Sequence, residues 1–413
     1  MDPGPVNAPL DIATTELEAW RQAADPGAFP YDAVVGAFRD AGKHFVAREL
    51  LEDLDRVRRD LPRGCPAHLS LARFLDTALD KFDGRYDNPS YLALEQLGLP
   101  GADGCPDPGH AAHRRDRLTA LLMADVMRFE LERRPGERVT AKRCRHALRA
   151  ILPVLERQDI EVEIDPDDPI GTGRRVCCAV VAGATPAERR TVQLTGLPVS
   201  LVHDEYMFIR SLQAYETTLA LIAVQLTAAV AALARGDATL AATALGSAES
   251  ILHESSPFWS LVATMDPDAF LRFREFTDGA SAIQSRGYKT VEGLCSTPDR
   301  ERLDSPAYTS VPDVRARVLA GLPNLDEALA DARAAGRITA AAYDDVRAAM
   351  QRFEASLLGW RKTHFRLAMR MLGRRRGTGY TEGVPYLEKV HGIPLFRLRC
   401  PFAGHRRAAV AAA

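Results

Sequence analysis

The chain has 413 residues, 46% of them hydrophobic and 26% charged, which is typical of a globular protein with room for about two or three domains. A formal net charge of −2 gives no electrostatic reason to expect a nucleic acid or an anionic membrane as a partner. The first residues contain no basic segment followed by an apolar run, so no signal peptide is expected. Seven scattered cysteines lack metal-ligand spacing and indicate reduced thiols in a cytoplasmic protein.

The N-terminal part is predicted to be mostly helical, with one small β-hairpin. Residues 1–30 are rich in Pro, Ala and Asp, which indicates a flexible arm before a region of unknown role over 31–195. Alternation at 161–164, a Val- and Cys-rich run at 175–181 and a Pro-Asp-Asp-Pro turn between them predict the hairpin. Residues 83–112 carry the Gly, Pro and Asp of a loop. Apolar spacing predicts helices over 31–61, 66–82, 114–134 and 139–157.

After Pro198 the pattern is helical almost throughout, and we expect a helical-bundle domain over 196–413. Asp266 followed by Pro267 predicts a helix start, and Gly373 predicts a helix end. The most apolar run, 218–234, falls short of a clean membrane span and is predicted to be a buried core helix. Helices are predicted over 203–234, 237–263, 267–276, 281–294, 312–333 and 338–373. The expected fold class is therefore mainly α.

The most specific stretch of the sequence lies near its C-terminus. Trp360-Arg361-Lys362-Thr363-His364 places a histidine on a long helix, with Trp360 one turn before it on the same face. An imidazole on a rigid helix can hold a haem iron. The glycine-rich segment 377–383 follows, and its backbone N–H groups and the Thr378 hydroxyl can bind the polar end of a small substrate.

Three segments, in order, resemble the tryptophan 2,3-dioxygenase superfamily of haem-dependent aromatic oxygenases. The segment 203–209 with Gln213-Ala214-Tyr215-Glu216 is similar to the family's first active-site helix. The segment 281–292, from Ser281 to Glu292, looks like its SGFQS-x-x-(aromatic)-Arg-x-x-Glu motif. The stretch around His364 resembles its W-R-x-x-H helix and GTGGSSG-x-x-YL loop. The resemblance covers about 198–400, so this chain is identified as a divergent member.

The resemblance implies a role for each matching residue. His364 is the expected proximal ligand of haem b, held non-covalently because Ala368 stands where some relatives attach haem through a cysteine. Trp360 and Ser285 are expected beside the cofactor. The expected substrate contacts are Phe208, Leu212, Lys289, Thr378, Gly379 and Glu382.

The departures from the family pattern bear on the chemistry. Leu212 stands where the family has its distal histidine, and a leucine cannot take up a proton. His203, about two and a half turns earlier on the same helix, is the candidate catalytic group if that helix bends or starts late; an ordinary N-terminal helix histidine is the competing interpretation. Lys289 replaces an arginine, keeping the charge and losing the bidentate fork.

The expected reaction is O2-dependent oxidation of an aromatic amino acid, with L-tryptophan or an indole derivative favoured as substrate. One alternative is a haem-dependent hydroxylase of L-tyrosine or a related phenol in secondary metabolism, using O2 or peroxide. A second alternative is a haem- or amino-acid-binding protein without turnover. By resemblance, a homodimer or homotetramer is expected, with no nucleic-acid or membrane partner.

Overall fold

The computed structural model describes residues 8–23, 26–62, 68–105, 107–133, 136–373, 375 and 383–397, and every regular element in these ranges is helical. Short 3-10 turns occupy Pro26–Ala28, Lys43–Phe45 and Ala282–Gln284. The α-helices are α1 (Ala8–Ala23), α2 (Tyr31–Ala41), α3 (Arg48–Asp60), α4 (Leu69–Ala78), α5 (Asn88–Tyr91), α6 (Leu94–Leu97), α7 (Pro108–Arg133), α8 (Glu137–Arg157), α9 (Pro169–Ala182), α10 (Pro186–Leu194), α11 (His203–Ala234), α12 (Ala238–Glu254), α13 (Ser256–Val262), α14 (Pro267–Arg274), α15 (Arg286–Cys295), α16 (Arg300–Asp304), α17 (Pro306–Thr309), α18 (Pro312–Leu319), α19 (Leu325–Ala334), α20 (Ala340–Leu372) and α21 (Val384–Val390). The predicted mainly α class is confirmed.

The long helix α11 is the centre of the bundle. It packs against α7 on one side and against α12 and α15 on others, while α20 packs against α12, α14 and α21. By length and composition α11 could cross a membrane, but more than half of its most apolar window is buried within the protein. This burial agrees with the prediction of a core helix and explains its apolar sequence without a bilayer.

The predicted β-hairpin is wrong. Residues 161–164 belong to no strand, and 169–182 form α9. Asp168 caps this helix by accepting a hydrogen bond from the Gly171 N–H, and Pro169 occupies its first turn, where a missing N–H costs nothing. Val176 and Val180 are buried one helical turn apart against α7 and α8. A short apolar run does not distinguish a strand from a buried helix, and the N-terminal cap decides in favour of the helix.

The N-terminal segment also differs from the expected flexible arm, since α1 lies within residues 1–30. Ala13 and Leu17 of α1 are buried against α2 and α3. Residues 83–112, expected as loop, contain α5, α6 and the start of α7. A hydrophobic core shared by α7, α8, α9 and α11 crosses the proposed boundary at 195/196, and the two-part division remains a prediction.

Several long helices that the pattern predicts are broken by local backbone chemistry. Gly42, with φ of 81°, separates α2 from α3, and a Cβ there would meet the Ser200 Cα at 2.9 Å. Ser255, followed by a proline inside α13, separates α12 from α13. The predicted caps are confirmed, because Asp266 accepts from the Asp268 N–H at the start of α14 and Gly373 ends α20 with φ of 58°.

Candidate active-site cavity

A single cavity lies between α11, α13, α14, α15, α20 and α21, and it receives most of the predicted site residues that the structure describes. Its volume is about 1760 Å³, which includes the solvent at its mouth. Its lining includes Phe208, Leu212, Ser285, Lys289, Trp360 and His364. Segments distant in the sequence therefore meet at one place, as the resemblance implies.

The His364 imidazole lines this cavity from α20 and contacts two indole rings. It stacks on Trp259 of α13, with ring centroids 5.3 Å apart and planes inclined by 15°. Trp360, one turn earlier, lies 5.8 Å from it at an inclination of 48°. Burial lowers the pKa of His364 to about 4. The imidazole is therefore neutral at physiological pH, which is the form that binds a metal.

The wall contributed by α11 is aromatic and aliphatic. Phe208 lies 5.7 Å from Phe270 and 5.4 Å from Phe273, measured between ring centroids. Leu212, one turn after Phe208 on the same helix, continues this apolar surface. Phe208 and Leu212 suit a flat apolar ring, and neither side chain can accept a proton.

A cluster of buried charges forms the opposite wall, where three cationic side chains share one carboxylate. Arg302 Nη2 lies 2.6 Å from Glu292 Oε1, and Arg361 Nη2 lies 3.4 Å from the same oxygen. Lys289 Nζ donates to Glu292 Oε2 at 3.4 Å. Burial raises the pKa of Glu292, but these cations outweigh that effect and hold the pKa at about 2. The cluster retains an excess of positive charge and favours an anionic group in the cavity.

Lys289 is the least ordinary member of this cluster. It is 3% exposed, and its ammonium lies 5.0 Å from the Tyr288 ring centroid and 5.3 Å from that of Tyr308. Burial, opposed by the neighbouring Glu292 carboxylate, lowers the pKa of Lys289 to about 8. The side chain is thus a cavity cation rather than a solvated surface lysine.

Glu216 adds a second buried acid to the cavity, on the same helix face as Leu212. It is 5% exposed, and its Oε2 has no hydrogen-bond partner among the described residues. Burial raises its pKa to about 7, against the opposing effect of the Ser285 hydroxyl and the Gly287 N–H. Ser285 itself caps α15 by accepting from the Tyr288 N–H, so it faces Glu216 as well as the cavity.

His203 does not line this cavity, and its expected catalytic role stays a prediction. It is the first residue of α11, so the helix does not start late. Its Nε2 lies 3.1 Å from Glu130 Oε1, and its ring packs on Phe129 at 4.9 Å. Here the competing interpretation, an N-terminal helix histidine held by a carboxylate, describes the observed position.

The remaining predicted contacts, Thr378, Gly379 and Glu382, lie outside the described residues. Sequence reasoning missed Trp259 and Arg302, which enter the cavity only through tertiary packing. Trp259 is one of three tryptophans in the chain, a scarcity that could have singled it out. Nothing in the local sequence distinguishes Arg302 from other helix arginines.

The donor set fits a haem. The neutral imidazole of His364 faces the cavity as an iron ligand must, beside apolar side chains such as Leu367 and Met371 that could pack on a porphyrin face. Arg274 and Arg302 also line the cavity and have the charge to pair with propionates. No group of three or more His, Cys, Asp or Glu side chains capable of holding a bare metal ion occurs in the described ranges.

Comparison with known proteins gives consistent matches over about half of the chain. Tryptophan 2,3-dioxygenase of Bradyrhizobium sp. (strain ORS 278) is 30% identical over 232 residues, covering 48% of this chain and 83% of the relative. The enzyme of the same name from Xanthomonas campestris pv. campestris (strain B100) is 27% identical over 227 residues, covering 47% of this chain and 76% of the relative. That of Bradyrhizobium diazoefficiens is 28% identical over 232 residues, with 48% and 83% covered. No family model matches the chain.

Proposed function

This chain belongs to the tryptophan 2,3-dioxygenase family, and from that premise we propose that it is a haem-dependent oxygenase that uses O2 to oxidise an aromatic amino acid. L-Tryptophan or an indole derivative is the proposed substrate. The observation that carries the proposal is the neutral His364 imidazole, stacked on Trp259 and facing a cavity with one apolar and one cationic wall.

His364 is the proposed proximal ligand of a non-covalent haem b. Trp259 and Trp360 both contact the imidazole, so its orientation is restricted before the cofactor binds. Ala368, one turn after His364, lines the same cavity and offers no thiol for covalent attachment. When bound, haem supplies the iron that activates O2. The protein supplies binding, orientation and exclusion of water.

The two walls suit the two ends of an aromatic amino acid. Phe208 and Leu212 would contact the ring, and Ser285, which lines the same cavity, is a proposed cofactor contact. Lys289, within its cationic cluster, would bind the carboxylate as a point charge rather than through a bidentate fork. Thr378, Gly379 and Glu382 are proposed substrate contacts by resemblance alone.

The number of oxygen atoms transferred to the substrate depends on the absence of a base at Leu212. Insertion of both atoms across the indole 2,3-bond is the family reaction, and a leucine leaves oxygen attack on the electron-rich ring without a base at that position. A tyrosine-hydroxylating enzyme would need a distal acid–base group. The pairing of His203 with Glu130, away from the cavity, weighs against that alternative.

Haem-loaded protein, reduced and supplied with O2, tests the proposal with L-tryptophan and L-tyrosine as separate substrates. We expect consumption of L-tryptophan, with a product heavier by two oxygen atoms or one. Conversion of L-tyrosine alone would favour the hydroxylase, and consumption of neither by fully loaded protein would favour the non-catalytic binding protein. We also propose that the protein is a cytoplasmic homodimer or homotetramer. Light scattering of the purified protein measures its oligomeric state.

A further inference from the structure

Two buried charged features of opposite sign flank the first turn of α15. On one side is Glu216 of α11, whose carboxyl approaches Gly287 so closely that a Cβ at Gly287 would meet Oε2 at 2.9 Å. On the other is the cationic cluster of Lys289, Arg302 and Arg361 around Glu292. Lys289 follows Gly287 by two residues, so both features lie at the same end of the cavity.

Glu216 has no charged partner in the described part of the chain. Burial, the Ser285 hydroxyl and the Gly287 N–H account for its pKa, with no contribution from a charged side chain. The other titratable groups that line the cavity are Tyr91, Tyr215, Arg274, Tyr288, Lys289, Arg302, Arg361, His364, Tyr386 and His391. Lys289 pairs with Glu292 instead, so the buried acid and the buried cations do not neutralise each other.

An unneutralised acid beside unneutralised cations is complementary to a zwitterion. The Ser285 hydroxyl and the Gly287 N–H approach the Glu216 carboxyl, but no hydrogen bond of normal geometry from the described residues reaches its Oε2, so a bound ammonium would supply a donor to that oxygen. An α-amino acid carries an ammonium and a carboxylate a few ångströms apart, which matches one buried charge of each sign on the same cavity end. An aromatic ring attached to it would then extend along Phe208 and Leu212.

We propose that Glu216 binds the α-ammonium group of the amino-acid substrate, opposite the cationic cluster that binds its carboxylate. This inference rests on the proposed function, since it assumes an aromatic amino acid as substrate. Glu216 also stands one helical turn from Leu212. Glu216 therefore adds an acidic contact to the α11 wall, next to the apolar surface of Phe208 and Leu212.

The test compares three ligands that differ only in their charged groups, using haem-loaded protein and titration calorimetry. L-Tryptophan carries both charges, tryptamine only the ammonium and indole-3-propionate only the carboxylate. In E216Q we expect affinity for L-tryptophan and tryptamine to fall at least about tenfold, with indole-3-propionate unchanged or tighter. In K289M we expect lower affinity for L-tryptophan and indole-3-propionate and unchanged affinity for tryptamine.

The controls separate this role from a structural one. E249Q changes a half-buried glutamate on α12 outside the cavity and is expected to bind all three ligands as the unmodified protein does. Equal loss of all three ligands in E216Q, matched by S285A, would mean that Glu216 only holds the Ser285–Gly287 turn and would overturn the proposal. If E216Q loses affinity for L-tryptophan but not for 1-methyltryptophan, Glu216 binds the ring N–H instead of the ammonium, and the proposal is overturned. If the unmodified protein binds none of the ligands, the proposed function itself fails.

Discussion

The Trp259 indole stacks almost parallel on the His364 imidazole, with 5.3 Å between ring centroids, although 105 positions separate the two residues in the chain. Trp259 belongs to α13 and His364 to α20, so the contact joins two helices across the cavity wall. Stacking restricts rotation of the imidazole, which also lines the cavity. A ligand whose orientation is set in advance binds its metal with less loss of entropy.

Trp259→Leu should therefore weaken haem retention while leaving His364 in place. We expect haem to transfer to apomyoglobin about tenfold faster, since outer contacts of a metal ligand typically contribute a factor of roughly 10 to 100 in affinity. Trp20→Leu, which alters a tryptophan of α1 in contact with Phe29, is the matched control and should leave transfer unchanged. Equal transfer rates in both variants would show that the stacking contributes nothing to cofactor binding.

Substrate affinity should pass through a maximum between about pH 7 and pH 8. Below about pH 7 Glu216, whose pKa burial raises, becomes protonated and loses its attraction for an ammonium. Above about pH 8 Lys289, whose pKa burial lowers, becomes neutral and loses its attraction for a carboxylate. We expect the affinity measured by calorimetry to stop falling at acidic pH in E216Q. In K289R it should stop falling at basic pH, because a guanidinium stays charged. An unchanged profile in both variants would contradict these assignments.

Glu292→Gln should destabilise the whole cavity wall. It removes the one carboxylate that Lys289, Arg302 and Arg361 share, which leaves these buried and half-buried cations without a carboxylate partner. Breaking a buried ion pair in this way costs about 3–5 kcal/mol, so urea denaturation should show a markedly lower midpoint. Glu301→Gln, at an exposed position of α16, is the control and should stay within about 0.5 kcal/mol. A stability loss no larger than that of the control would show that the cluster is not coupled to folding.

Gly287→Ala should impair substrate binding by displacing Glu216. The new methyl group would meet Glu216 Oε2 at 2.9 Å and the Leu219 Cβ at 3.0 Å, so the carboxylate must move. We expect weaker binding of L-tryptophan and tryptamine, as in E216Q. Gly359→Ala, in the interior of α20 with no atom within 4 Å of the added Cβ, should bind normally and gain about 1 kcal/mol in stability. Normal tryptamine affinity in Gly287→Ala would show that displacing the Glu216 carboxylate does not weaken ligand binding, which would contradict this prediction.

The sequence predicted features that depend on nearby residues. The cap at Asp266, the end of α20 at Gly373 and the location of His364 on a long helix follow from local spacing, and the structure agrees with all three. Features that depend on tertiary packing could not be predicted in this way. The Val- and Cys-rich composition of 175–181 predicts a strand, whereas in the structure this run lies in α9 and packs against α7 and α8.

The same distinction applies to the candidate site. The motif match predicted Phe208, Lys289 and His364, and the structure brings them to one cavity. Arg302 could not be predicted, and only the scarcity of tryptophan marks Trp259, since each reaches the cavity from a helix outside the matched segments. His203 is the first residue of a matched segment, yet it lies about two and a half turns from Leu212 on α11 and does not line the cavity.

The optical spectrum of His364→Ala tests the central claim most directly. Protein reconstituted with haem should show a Soret band that is lost or shifted to that of free haem in the variant, while far-ultraviolet circular dichroism stays unchanged. His253→Ala, which removes an exposed histidine of α12, should keep the band of the unmodified protein. An unaltered Soret band in folded His364→Ala would contradict the assignment of His364 as the haem ligand.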